Sequence, residues 1–331
     1  MYFNGITNNY NMDLYDLDVS LHSGIPKHYY HLKDKQFGDW EIPPWELFIF
    51  KDRLIGKGSF SNVYLAKWRE TFVVAKVINS DFFKLKKEIV LREIDIMTKL
   101  HHPNIVQFLG FIDNPFILVL EYIPNFDLLT NIPKLSRTQK ISIMKDILKG
   151  IAYIHNRKPY SLIHRDIKTS NILLTNSKVA KIADFGLSKF YNIHKIDSFN
   201  DLKKLNSDNN DTNNDTNNDT NNDINNENDN MKKKLLFKNN ELTDIVGTER
   251  YMAPEMSKDS HNYNNKIDIY ACGIIFYEMF ENKKYIPNLE FKWYYTPKKI
   301  KNTIIDNMLC KNPDDRFDAI AILKKFNKLD I

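Results

Sequence analysis

The hydrophobic period of this chain changes once, and that change limits what it can build. Before about Pro124 the apolar residues come in short, β-branched runs. Leu47-Phe48-Ile49-Phe50 begins a strand, Gly56 to Ser61 interrupts it, and Val63-Tyr64-Leu65-Ala66 resumes it. Thr71 to Ile78 reads as a third strand, and Ile105 to Ile112 and Phe116 to Tyr122 are further apolar runs. One helical stripe intervenes, with Leu85, Ile89, Ile96 and Leu100 spaced among charges. After Pro124 the helical period dominates. Arg137 to His155 reads as one amphipathic helix, and Ile267 to Phe280 as an apolar one. The pattern predicts an α+β chain with a small strand-rich part followed by a larger helical part.

The helical half is broken by a tract built on Asn-Asn-Asp-Thr, from Asn209 to Asp223. It has no aromatic residue and cannot offset the entropy of ordering, so it reads as a disordered insertion spanning about 200–235. Seven acidic residues and no basic one lie between Ser207 and Asn230. Removing those seven negative charges from the net +5 leaves +12 on the rest. A basic body suits acidic partners, but no aromatic-basic interleaving points to nucleic acid, and none is expected as a partner. Two cysteines, Cys272 and Cys310, cannot form a disulfide framework. Both sit in apolar runs and read as buried free thiols, which suits a reducing cytoplasm or nucleus. No apolar run is long enough to span a bilayer, and no signal peptide is expected.

The chemistry is written in a few positions. Gly56-Lys57-Gly58-Ser59-Phe60-Ser61 lies between two strands, where glycines let backbone N–H groups approach phosphates. Without a helix after it, this is not a dinucleotide-binding turn. Lys76 stands at the centre of Val73-Val74-Ala75-Lys76-Val77-Ile78, where its charge is costly unless paired or snorkelled to an edge. Glu93 and Glu88, in the following helix, compete as its partner. Then come His164-Arg165-Asp166-Ile167-Lys168-Thr169-Ser170-Asn171 and Asp184-Phe185-Gly186. Asp166, Asn171 and Asp184 supply base and metal-ligand oxygens, and Mg²⁺ needs only one or two protein oxygens when phosphates supply the others.

Taken in order, Gly56, Lys76, Glu93, Asp166, Asp184 and Glu255 resemble the signature set of the protein kinases, from about Trp40 to the C-terminus. The resemblance implies a bilobal protein kinase fold, with a β-rich N-lobe over 45–123, a helical C-lobe over 124–331 and an irregular extension over 1–44. It implies ATP with Mg²⁺, or Mn²⁺ in its place, and protein substrates. ATP would be held by Gly56, Lys57, Gly58, Ser59, Phe60, Ser61, Val63, Val74, Lys76, Asp127 and Leu173. Leu120 would be the gatekeeper, and Glu121, Tyr122 and Ile123 the hinge. Catalysis would fall to Asp166 as base, Lys168 at the γ-phosphate, and the Lys76–Glu93 pair, with Asn171 and Asp184 on the metal. Glu255, Arg316 and Asp268 would be structural.

Lys168, Gly247-Thr248 and Tyr251-Met252-Ala253-Pro254-Glu255 are similar to serine/threonine kinases. Trp40-Glu41-Ile42 and Ala183-Asp184-Phe185-Gly186-Leu187-Ser188 resemble the tyrosine-kinase-like branch. The implied function is serine/threonine phosphorylation. Two rivals stand beside it: a dual-specificity or tyrosine kinase, and a silent pseudokinase scaffold, whose usual sign is a loss among three residues that this chain retains. Arg165 beside Asp166 implies control by activation-loop phosphorylation, at Thr243 first and Ser198 next. Departures are Ser61 in place of a third glycine, Val74 for alanine, Phe126 for a small hinge residue, and a short interval between Asp268 and Arg316. Oligomeric state is left open.

Overall fold

The computed structural model describes residues 38–58, 60–158, 160–191, 248–256 and 263–328. The predicted sites Ser59, Ser198 and Thr243, the repeat tract and nearly all of the 1–44 extension lie outside the described residues. Contacts divide the chain into two compact units, one of residues up to Thr130 together with Ile172–Gly186, the other of Asn131–Asn171 and Leu187–Ile331.

The first unit is built on an antiparallel sheet of β1 (Leu47–Lys57), β2 (Ser61–Trp68), β3 (Thr71–Ile78), β4 (Phe108–Ile112) and β5 (Ile117–Glu121), in the order β1-β2-β3-β5-β4. Alternation places Leu47, Ile49, Ala66, Val73, Ala75 and Val119 in one buried cluster. Trp40 to Ile42 run beside β4, where the Ile42 N–H donates to Phe111 O at 2.8 Å. Gly110 permits this approach, because a Cβ there would lie 2.6 Å from Trp40 O.

Helix α1 (Ser80–Met97) starts at Asn79, whose side chain accepts the Asp81 N–H at 2.9 Å. Its buried face is Val90, Glu93, Ile94, Ile96 and Met97, so the expected positions Ile96 and Leu100 are buried, whereas Leu85 is 80% exposed. The physical reason is a kink at Lys86 (φ −132°, ψ 32°), which shifts the phase of the first turns against the rest. The run from Ile105 also divides: only Phe108 onward joins the sheet, while Val106 N–H donates to Ile182 O at 2.9 Å. That carbonyl belongs to a hairpin of β7 (Ile172–Leu174) and β8 (Ala180–Ile182). Leu174 N–H also donates to Phe126 O at 3.0 Å, so this hairpin packs with the strand-rich unit and not with its sequence neighbours.

The second unit is helical. After the single turn α2 (Leu128–Asn131), at whose end the division falls, comes α3 (Arg137–His155), which opens on a capping box between Ser136 and Gln139 worth about 1 kcal/mol. The short strands β6 (Ser161–Ile163) and β9 (Lys189–Tyr191) pair with each other. Helix α4 (Lys266–Glu281) is buried along nearly its whole length, as its apolar composition requires. Helices α5 (Lys298–Asn307) and α6 (Ala319–Asn327) complete the unit. Cys272 is buried in α4 as expected, but Cys310 is only half-buried, because it follows α5 in a turn where its Sγ lies 3.2 Å from Asp306 O. Among the described residues no helix is long and apolar enough to cross a membrane.

Candidate active site

In the first unit the register sets a lysine beside the strand that leaves a glycine-rich turn. Strand pairing places Lys76 across from Val63 on one side and Leu118 on the other. Its Nζ lies 2.8 Å from Glu93 Oε1 and 3.2 Å from Asp184 Oδ1. Glu93 is therefore the helix partner, and Glu88 is exposed. Burial pushes the Lys76 pKa down, but the Glu93 and Asp184 carboxylates more than offset it, and the ammonium is held charged. Gly186 keeps space for this pair, since a Cβ there would come within 3.4 Å of Glu93 Oε2. Asp184 itself has φ 63°, a left-handed backbone that costs a non-glycine residue about 1–3 kcal/mol.

The turn ahead of Lys76 is fastened at both ends. Gly58 N–H donates to Ser61 O at 2.8 Å, and Asn79 N–H donates to Phe60 O at 2.9 Å. The Phe60 ring stacks on Phe82 of α1 with centroids 4.2 Å apart. Gly56 closes β1 opposite Val63, and Lys57 pairs with Asn62. Val74 pairs with Leu120 across β3 and β5, and Leu173 bridges Asp127.

The strand edge that follows is more committed than its sequence suggests. Glu121 spends its N–H on Gln107 O at 2.9 Å, and its carboxylate on Lys181 Nζ at 2.9 Å and Gln107 N–H at 3.1 Å. Ile123 is buried and Tyr122 half-buried. Asp127 Oδ1 accepts Thr130 N–H at 2.8 Å and so caps α2. Phe126 takes φ 59° with its side chain 68% exposed.

The second unit gathers Asp166, Lys168, Asn171 and Thr248. Lys168 Nζ lies 2.7 Å from Asp166 Oδ2. Thr248 closes the set, its Oγ1 donating to Asp166 Oδ1 at 3.1 Å and accepting from Lys168 Nζ at 3.1 Å. Asn171 Nδ2 donates to Asp166 O (2.9 Å) and Oδ2 (3.0 Å), which leaves its amide oxygen as the atom suited to a cation. Asp184 in the first unit offers a half-exposed carboxylate, an oxygen ligand of the type that hard cations take.

Beneath this loop lies Asp268, 1% exposed. It accepts His164 N–H at 2.8 Å, Arg165 N–H at 3.0 Å and a bond to His155 Nε2 at 2.9 Å. Burial would push its carboxyl pKa up, but His155 and these donors bring it below the ordinary value. Arg165 donates to Leu187 O at 2.5 Å and to the Tyr263 hydroxyl at 3.1 Å. Arg316 Nη1 and Nη2 reach Glu255 at 2.6 and 2.7 Å.

Sequence reading used Thr248 only as a branch marker and missed its hydroxyl between Lys168 and Asp166. It also missed Tyr251, whose hydroxyl meets Glu278 Oε2 at 2.6 Å and Thr169 at 2.9 Å. A hydroxyl-rich stretch just ahead of Ala253-Pro254-Glu255 was the available signal.

A family profile described as "Protein kinase domain" matches residues 50–204 and 230–326, and the unmatched interval falls in the Asn/Asp repeat. The chain is 34% identical over 261 residues to Serine/threonine-protein kinase VIK of Arabidopsis thaliana, covering 76% of this chain and 50% of that protein. It is 30% identical over 250 residues to Serine/threonine-protein kinase CTR1 of the same plant, covering 73% of this chain and 25% of that one. Against the serine/threonine-protein kinase BCK1/SLK1/SSP31 of Saccharomyces cerevisiae it is 30% identical over 254 residues, with 72% and 14% covered. The chain thus spans half or less of the length of these curated relatives. The fold, the order of the motifs and the profile agree, and the chain belongs to the protein kinase family, with the sequence character of its tyrosine-kinase-like branch.

Proposed function

We propose that this chain is a catalytically competent kinase that phosphorylates serine and threonine hydroxyls of proteins. The observation that carries the reading is the Lys76 ammonium held between Glu93 and Asp184. A silent scaffold has no need to maintain a buried cation between two carboxylates. ATP supplies the transferable phosphoryl group and Mg²⁺ neutralises charge on it. Lys76 would neutralise the phosphates next to the transferred one, and the Gly56–Ser61 turn would offer backbone N–H groups to them. Val63, Val74 and Leu173 would cover the base. Asp166 would orient the acceptor hydroxyl and take its proton, while Lys168 would face the negative charge that develops on the transferred group. Asn171 and Asp184 would hold the metal.

Thr248, bonded to both Asp166 and Lys168, supports serine/threonine specificity, as do the names of the relatives. Arg165 supports control through phosphorylation of the segment before Thr248, with Thr243 first and Ser198 next. The buried free thiol of Cys272 supports a cytoplasmic or nuclear setting. Labelled ATP, Mg²⁺ and a generic basic protein, with Asp166→Asn in parallel, test the reading. Label on serine or threonine that vanishes in the variant is expected. Bound ATP without any transfer, in protein phosphorylated beforehand on its loop, would overturn it in favour of the scaffold.

A further inference from the structure

Between α4 and α5, residues 282–297 form neither helix nor strand. A carboxylate organises them. Glu281, 3% exposed, accepts the backbone N–H groups of Tyr294 (2.8 Å), Tyr295 (3.2 Å) and Thr296 (3.0 Å), and the Thr296 hydroxyl at 2.5 Å. Aromatic rings fix the rest. Tyr277 of α4 meets Tyr285, Phe291 and Trp293 edge-on, and Tyr285 stacks on Phe291 at 4.5 Å. This is a preorganised loop, with much of its ring surface spent internally.

What it shows outward is apolar. Ile286, Leu289, Tyr294 and Tyr295 are 58–73% exposed. Their surroundings are basic, since residues 282–301 hold six lysines and one carboxylate, Glu290. Lys283 Nζ lies 5.0 Å from the Tyr294 ring centroid, and Lys301 Nζ lies 6.0 Å from that of Trp293. None of these residues belongs to the candidate active site. An exposed apolar centre within a rim of one sign of charge has the anatomy of a protein-recognition surface.

We propose that the surface of residues 282–301 docks an acidic segment of a partner protein. Aliphatic or aromatic side chains of that segment seat against Ile286, Leu289, Tyr294 and Tyr295, while its carboxylates reach the lysines. Charge complementarity sets the sign of the partner. A bilayer fits less well, because Tyr277, Tyr285, Phe291 and Trp293 spend their rings on one another, and two of the four apolar groups left facing outward are tyrosines with polar hydroxyls. Single-stranded nucleic acid fits less well, because the stacked faces of Tyr285 and Phe291 are closed to bases. The proposal does not depend on the chain's being an active kinase.

The test titrates the full chain into a fluorescein-labelled peptide of repeated Glu-Glu-Leu-Phe and reads anisotropy. Saturable binding is expected, weakening as salt is raised. It should fall about tenfold or more in Lys292→Glu/Lys298→Glu and in Tyr294→Ala/Tyr295→Ala, a loss of the size that interface charges and aromatic anchors produce. These side chains are exposed, and thermal melts check that both variants stay folded. No binding, equal binding of a peptide with lysine for glutamate, or unchanged binding in either folded variant would overturn the proposal. So would tighter binding to phosphatidylserine vesicles or to a single-stranded oligonucleotide.

Discussion

Arg316 and Glu255 meet fork to fork, and every N–H of the Arg316 guanidinium is spent. Nη1 and Nη2 each reach one Glu255 oxygen, at 2.6 and 2.7 Å. The remaining donors go to Cys310 O (2.8 Å), Lys266 O (3.1 Å) and Lys311 O (3.2 Å), and the group lies 4.9 Å from the Tyr270 ring centroid. Lysine cannot reproduce this geometry. Arg316→Lys, which keeps the charge but not the fork or all five donors, should therefore destabilise the fold by about 1–3 kcal/mol, the scale of buried acceptors left unpaired. Urea midpoints would measure it, and a loss under about 1 kcal/mol would mean that the pair is incidental.

Lys76→Met should lower kcat/KM about 10²–10³-fold, the usual scale for losing a preorganised electrostatic group. Glu93→Gln should cost less, about tenfold to a hundredfold, because Asp184 still pairs with the ammonium at 3.2 Å. Steady-state kinetics on both variants checks the order. A larger loss in Glu93→Gln would assign the main role to the helix carboxylate.

Thr248→Ala should lower kcat about tenfold to a hundredfold, as expected for a lost hydrogen bond to a charged group. Thr248→Ser, which retains the hydroxyl, should recover most of that loss. Equal loss in both variants would mean that the methyl group, not the bond to Asp166, matters.

The Asp268 carboxyl is depressed in the folded chain, so its contribution is present above the ordinary carboxylate value and fades as pH falls through the folded one. Asp268→Asn should cost about 3 kcal/mol at neutral pH. The gap to the wild type should narrow on acidification below about pH 4. Denaturant midpoints across a pH series measure it, and a gap unchanged in acid would assign the loss to packing.

Phe126 holds φ 59° with its ring 68% exposed. Phe126→Gly relieves a left-handed backbone while giving up little burial, and should stabilise by about 1 kcal/mol. A thermal melt reads this directly, and destabilisation would show that the ring is packed against something that offsets the strain.

Elements with a strong local pattern were legible in the sequence. The predicted bounds Arg137 to His155 and Thr71 to Ile78 coincide with α3 and β3, because period and flanking residues agree there. Local pattern put Lys76 on a strand but left Glu93 and Glu88 as competing partners, and only the resemblance to the protein kinases pointed to Glu93, which the structure pairs with it. Leu85 misled, since a periodic count cannot register the kink at Lys86. The roles of Glu121 and Thr248 depend on Lys181 and Lys168, 60 and 80 positions away. Such pairings arise only once the chain has folded back on itself, and no local pattern encodes them.

The hairpin that carries Asp184 returns to the strand-rich unit after the chain has left it at Thr130 and crossed into the helical one. Neither unit is a contiguous stretch of gene. A truncation anywhere between Thr130 and Asp184 would leave Lys76 with Glu93 alone, and no single cut can release the strand-rich half intact. The helical unit likewise cannot be expressed as one fragment without carrying Asp184 with it. A single exchange of contiguous chain could therefore replace neither half separately.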